Sequence, residues 1–215
     1  RVPQSEWDRM RAPFQEGEFP FPVKYGYATV GRVTAGADAL LGREVFALHP
    51  HQTRFRLPAE AVAPLPEGVP AGRAVLAANA ETALNAIWDA EIAPASRVAV
   101  IGAGLLGCLV AGLLSRHPDL SVTLSDVLEA RAAVASDFRV TFREPAALAD
   151  DHDVAFHTSA TAAGLEGALR CLAFEGRVIE LSWFGDEAVP VALGGAFHSR
   201  RLRILSSQVG YVAAP

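Results

Sequence analysis

At 215 residues, 51% of them hydrophobic, the chain is long enough to bury a sizeable core, as one large or two small domains. Its net charge of -5, with no basic stretch interleaved with aromatics, excludes a nucleic-acid groove. Two cysteines, Cys108 and Cys171, lie in apolar helical patterns; they fit buried free thiols in a reducing compartment, not a disulfide framework. No secretory signal peptide is recognisable, and the expected location is the cytoplasm.

Residues 1–22 are polar, Pro-containing and irregular. A strand is expected within residues 25–35, around "YATVGRV", and two more in "GREVFAL" (42–48) and "RFRLP" (54–58). Gly36 and the pair His49-Pro50 separate them, so this half reads as a small β domain. "PLPEGVPAG" (64–72), rich in Pro and Gly, reads as a linker. The expected division is therefore residues 1–72 and 73–215.

Beyond the linker the pattern alternates. Residues 74–90 read as an Ala-rich helix. Strands follow at 98–101, 122–125, within 139–142, and at 153–159, 176–182 and 201–207, with helices at 105–116, 128–135 and 164–172. Alternation of this kind predicts an α/β fold, a doubly wound parallel sheet. Ligands of such sheets sit outside the carboxyl ends of the strands, where Ser159, Ser182 and Ser207 fall. Arg200, Arg201 and Arg203 read as a solvated flank of the last strand.

Residues 98–114, "VAVIGAGLLGCLVAGLL", carry no charge over 17 positions. A membrane span needs roughly 20 apolar residues and has no use for turn glycines. Gly102, Gly104 and Gly107 instead form G-x-G-x-x-G between a predicted strand and a predicted helix, the context of a dinucleotide fingerprint. Gly102 permits the tight turn, Gly104 the approach of a pyrophosphate, and Gly107 close packing of helix on strand. Leu105 and Leu106 open the helix, whose N–H groups and positive dipole end meet phosphate. Asp126 ends the next strand, 19 residues after Gly107, where an acid holds ribose hydroxyls. Its charge opposes a 2′-phosphate and favours NAD over NADP; Arg131 is the residue that would favour NADP instead.

With these residues in view, the chain resembles the medium-chain dehydrogenase/reductase family, the zinc-type alcohol dehydrogenases and their zinc-free relatives. "KYGYATVGRV" is similar to the family's GHE-x-x-G-x-V strand, "GREVFAL" to its GDRV strand, "LPAEAVAPLPEGVPAGRAVLAANAETALNAI" to its interdomain helix, and "VAVIGAGLLG" to its cofactor turn. The loop "GYATVGRV" is also similar to bacteriochlorophyllide dehydrogenase-like members. The resemblance implies a Rossmann domain joined to a GroES-like β domain, the latter partial, in a chain truncated at both ends. It also implies a small-molecule substrate, no membrane or nucleic-acid partner, and a homodimer paired near "RLRILSS".

The departures point to the zinc-free branch. The family's His and Glu positions hold Tyr27 and Ala28, a ligand cysteine position holds Ala78, and the four-cysteine lobe is missing. No metal is therefore expected. Tyr27, with Tyr25 beside it, and His51, in the pair His49/His51, are the candidates for polarising a substrate oxygen. Pro50 interrupts that histidine pair, and no third ligand is evident. Asn79 and Glu81 read as helix capping, with a proton relay through Glu81 as the other reading. Three functions stay open. The first is NAD(H)-dependent hydride transfer to or from a small alcohol or carbonyl, and the second is a quinone or enone reductase. The third is a dinucleotide-binding redox sensor without turnover.

Overall fold

The computed structural model describes residues 2–209. They divide between Ala78 and Asn79 into two compact units.

The first unit is built on a three-stranded antiparallel sheet, β1 (Thr29–Arg32), β2 (Glu44–Ala47) and β3 (Val62–Pro64), in that order. Val45 lies between Gly31 and Pro64 and, with Ala47, faces inward. The third strand is not where the sequence suggested it. Residues 54–58 form no strand. There Phe55 stacks on His49 with ring centroids 3.9 Å apart. The expected linker supplies Pro64 to the outer strand instead, where a residue without an N–H is tolerated.

The helix expected over 74–90 is α2 (Ala77–Asp89), and a single-turn helix, α1 (Ala71–Ala74), precedes it. Between them Leu76 bonds back three residues to Arg73, closing a tight turn.

The second unit carries six parallel strands: β4 (Arg97–Ile101), β5 (Ser121–Ser125), β6 (Thr141–Arg143), β7 (His152–His157), β8 (Leu172–Glu180) and β9 (Arg203–Ser206). Their order is β6-β5-β4-β7-β8-β9. The helices are α3 (Leu105–Leu114), α4 (Ala132–Phe138), α5 (Ala162–Arg170) and α6 (Ala196–Ser199). Successive strand residues point to opposite faces. Val98, Val100, Leu124 and Phe156 pack with Ala83, Val110 and Leu114 on one face. Ala99, Ile101, Ala155 and Val178 pack with Leu165 and Leu169 on the other. Both faces are covered, so the strands read as unbroken apolar runs. This is the doubly wound Rossmann-type sheet that the alternation predicts. After β6 the chain returns across the sheet to β7, on the other side of β4. That reversal opens a crevice at the carboxyl ends of β4 and β7.

Arg200 differs from its expected solvated role. It donates to the Leu172 carbonyl at 2.9 Å and pairs with Asp150 at 2.8 Å, tying the approach to β9 back to β8. Among the described residues no helix is long and apolar enough to cross a membrane.

Candidate functional site

The glycine turn is shaped as its spacing requires. Gly102 has φ +105, a conformation L side chains rarely adopt, and donates its N–H to the Ser125 carbonyl at 2.8 Å. A Cβ on Gly107 would collide with the Gly102 carbonyl oxygen, so only glycine lets α3 lie this close to the turn. Gly104 is different. Its φ of -75 suits any residue, and a Cβ there would meet nothing within 4 Å. It opens α3 beside exposed Leu105 and half-buried Leu106, and no side chain caps that helix end. The first N–H groups of the helix therefore face outward without a helical partner.

Asp126 closes the other side of the turn. Its Oδ2 accepts the Ala103 N–H at 2.7 Å and its Oδ1 the Leu128 N–H at 2.9 Å. Each carboxylate oxygen keeps a lone pair for a further donor. Arg131 is exposed in a short 3-10 turn, Glu129–Arg131. On α3 the Cys108 thiol is partly buried. Burial raises its pKa most, Arg131 opposes the rise and Asp126 adds to it.

A second polar cluster lies at the ends of β7 and β8. His157 is fully buried. Its Nδ1 lies 2.7 Å from Glu180 Oε2 and its Nε2 2.8 Å from Ser159 Oγ. Ser182 donates its N–H to Glu180 Oε1 at 2.7 Å, and its Oγ accepts the Ala160 N–H at 3.0 Å. Ser159 Oγ also meets Thr161 Oγ1 at 3.0 Å, and Thr161 caps α5 by accepting the Gly164 N–H. A side chain on Gly164 would collide with Ser159 Oγ, so α5 rests directly on the cluster. The cluster abuts the turn. Thr158 donates its N–H to the Ile101 carbonyl and its hydroxyl to the Gly102 carbonyl at 2.8 Å.

Ser159 and Ser182 thus stand together beside the turn, while Ser207 does not join them. Its hydroxyl donates to Asp89 at 2.7 Å and accepts from Asn85 at 3.3 Å, which ties the end of β9 to α2. In the first unit Tyr27 and His51 are exposed, and the His51 ring lies against Gly26, whose φ is +101. His49 is buried between Phe14 and Phe55 and donates Nδ1–H to the Pro50 carbonyl. The two histidines therefore do not present a matched pair. Glu81 is exposed on α2.

Two residues of the cluster escaped the sequence reading, His157 and Glu180. The signal was there: each is the single ionisable group ending an apolar strand core, in "VAFH" and "VIE".

Neither a protein-family model nor a curated protein matches the sequence. Solved structures match in fold. An Escherichia coli alcohol dehydrogenase solved with NADH superposes with TM-score 0.67 at 16% identity over 84% of this chain. An oxidoreductase from Salmonella enterica, solved with NADP, gives 0.63 at 21% over 85%. The quinone oxidoreductase of Thermus thermophilus, solved also with NADPH, gives 0.64 at 22% over 79%. The chain spans 66%, 63% and 58% of those three proteins respectively.

Proposed function

We propose that the turn from Gly102 to Gly107 binds NAD(H) and that the chain takes part in hydride transfer between nicotinamide and a small alcohol or carbonyl compound, without catalytic zinc. One observation carries the reading. Open space lies over Gly104, at an uncapped helix N-terminus, beside a carboxylate ending the neighbouring strand. A pyrophosphate needs that space and those N–H groups, and an adenosine ribose needs that acceptor.

The nicotinamide cofactor supplies the hydride chemistry, and the protein supplies placement and electrostatics. Leu105 and Leu106 N–H groups hold phosphate oxygens. Asp126 accepts ribose hydroxyls and opposes the 2′-phosphate of NADP. Ser159 and Ser182, at the ends of β7 and β8, line the reversal crevice as hydroxyl partners. Tyr27 and His51 serve as hydrogen-bond donors that orient a substrate oxygen. Zinc independence rests on the donor set: among the described residues no group of three or more His, Cys, Asp or Glu side chains converges. A homodimer paired along β9, the outer strand, belongs to the same reading.

The likeness to a quinone oxidoreductase supports a second reading, hydride transfer to a conjugated carbon, which needs less polarisation of an oxygen. NADH titration followed by a panel of alcohols, carbonyls and quinones separates the readings. Binding with alcohol or carbonyl turnover supports the first and quinone turnover the second. Binding with no turnover leaves a redox sensor, and no binding overturns all three.

A further inference from the structure

We infer that Glu180, His157 and Ser159 form a proton-holding chain at the reversal crevice, in which His157 gains a proton as the bound cofactor goes from oxidised to reduced. The inference rests on the reading that NAD(H) binds at the glycine turn.

Position comes first. His157 ends β7 and pairs in register with Ile101, the last residue of β4, so it sits at the reversal where ligands of such sheets lie. Ser159 is packed on the turn itself: a Cβ on Gly102 would stand 2.9 Å from the Ser159 nitrogen.

The hydrogen bonds admit two complete protonation states. With a neutral ring, Nδ1–H donates to Glu180 and Nε2 accepts the Ser159 hydroxyl proton. With a charged ring, Nε2–H donates to Ser159 Oγ, and the serine hydroxyl turns to another acceptor, Thr161 Oγ1 at 3.0 Å. No heavy atom has to move. A proton reaching Ser159 Oγ from the crevice releases the serine's own proton to Nε2.

Charge balance gives the chain its use. When an alcohol is oxidised, its C–H electron pair leaves as hydride to the nicotinamide and its O–H proton must go elsewhere. The pyridinium charge disappears in the same step. A proton taken up by His157 restores that positive charge nearby, and Glu180 stabilises it. In the reverse direction the imidazolium returns the proton to the new alkoxide oxygen.

The surroundings single out this pair. On β8, Glu180 hydrogen-bonds the ring, and β4 brings the apolar Ile101. On α5, Gly164 covers the cluster while Glu166 and Arg170 are exposed. After β8, the Phe184 ring stacks on His157 at 6.2 Å, and Asp186 and Glu187 are exposed. At the end of β5, Asp126 is bonded to Ala103 and Leu128. Ser159, His157 and Glu180 are hydrogen-bonded in the order of a nucleophile triad, and the surroundings of the serine are what differ. Ser159 Oγ is already engaged with Thr161 Oγ1 as well as the ring, and the Ala160 N–H beside it is given to Ser182.

The test is calorimetric titration of the full chain with NAD+ and with NADH, in buffers of contrasting ionisation enthalpy, across about pH 6 to 8 where histidine titrates. The NADH complex should hold more protons than the NAD+ complex, the difference approaching about one proton at its maximum. His157→Asn and Glu180→Gln should still bind both cofactors and bring the difference close to zero, an effect that a purely structural role would not produce. A wild-type difference of zero, or an unchanged difference in His157→Asn, overturns the inference. Should those variants fail to fold, the His157 ring nitrogen shifts by NMR in the two wild-type complexes decide: identical protonation overturns it, and a more protonated ring with NADH supports it. Failure of wild type to bind either cofactor overturns the cofactor reading itself, and this inference with it.

Discussion

The Asp126 carboxylate accepts the Ala103 backbone N–H at 2.7 Å, so the residue ending β5 also fastens the turn after β4. Charge and scaffold are joined in one side chain. Like charges in a partly desolvated pocket cost on the order of 1–3 kcal/mol at intermediate dielectric. Wild type should therefore prefer NADH over NADPH by roughly ten- to hundredfold. Asp126→Ser should weaken NADH, improve NADPH and lower the thermal midpoint, because a charge-assisted bond to the turn is lost. Dissociation constants for both cofactors and a melting curve check all three. A wild type that prefers NADPH would show that Arg131 dominates the pocket, and Arg131→Ala should then reverse the preference.

Two glycines of the turn should fail in opposite ways. Gly107→Ala drives a methyl into the Gly102 carbonyl and should destabilise the protein by about 1–3 kcal/mol or more. Gly104→Val fills space in which a Cβ meets nothing within 4 Å. Its stability should stay within about 0.5 kcal/mol of wild type. NADH affinity should nevertheless fall at least about tenfold, since the branched side chain stands where the pyrophosphate must come. Denaturant midpoints and NADH titration of both variants make the comparison. Unchanged affinity in Gly104→Val would mean that the turn binds no dinucleotide.

The parallel sheet was legible because its strands are buried on both faces and two of its three turn glycines are structurally required. Gly102 and Gly107 are fixed by a positive φ and a backbone contact, constraints that act within a few residues and so leave a local pattern. The β unit was less legible. Residues 54–58 alternate like a strand, but they form none, and the contact Phe55 makes is with the His49 ring, which alternation does not reveal. The polar cluster at β7 and β8 was legible only in part. Ser159 and Ser182 follow from the strand-end rule, whereas the pairing of His157 with Glu180 depends on a register between strands 23 residues apart in sequence. Ser207 obeys the same strand-end rule, yet its hydroxyl bonds to Asp89 at the end of α2, a partner 118 residues away in sequence.

Metal content gives a further check on the zinc-free reading. Zinc sites need three or four N, S or O ligands converging at about 2.0–2.3 Å. Cys108 lies in α3 and Cys171 at the end of α5, and His49 is stacked between two aromatic rings. Purified protein should carry well under one zinc per chain by elemental analysis. A value near one would overturn the zinc-free reading, and His51 and Glu81 would be the first ligands to replace.

Burial of Cys171 should make stability fall at alkaline pH. The residue is 1% exposed, its thiol lies 3.3 Å from the Ala168 carbonyl, and burial pushes its pKa from 9.0 up to about 12. The folded value is raised, so the stabilisation is complete below the unfolded pKa and is lost as pH climbs from about 9 toward 12. Within that window the unfolded chain has released the thiol proton and the folded chain has not. Stability therefore falls by about 1.4 kcal/mol for each pH unit. Cys171→Ala should be less stable than wild type at pH 7.5, because it leaves a small cavity. The gap between the two should then close above about pH 9 at that slope, as wild type alone pays the thiol's ionisation. Urea midpoints of both proteins from pH 7.5 to 10.5 measure the gap directly. A gap that does not change with pH would show that the thiol titrates alike in the folded and unfolded chains.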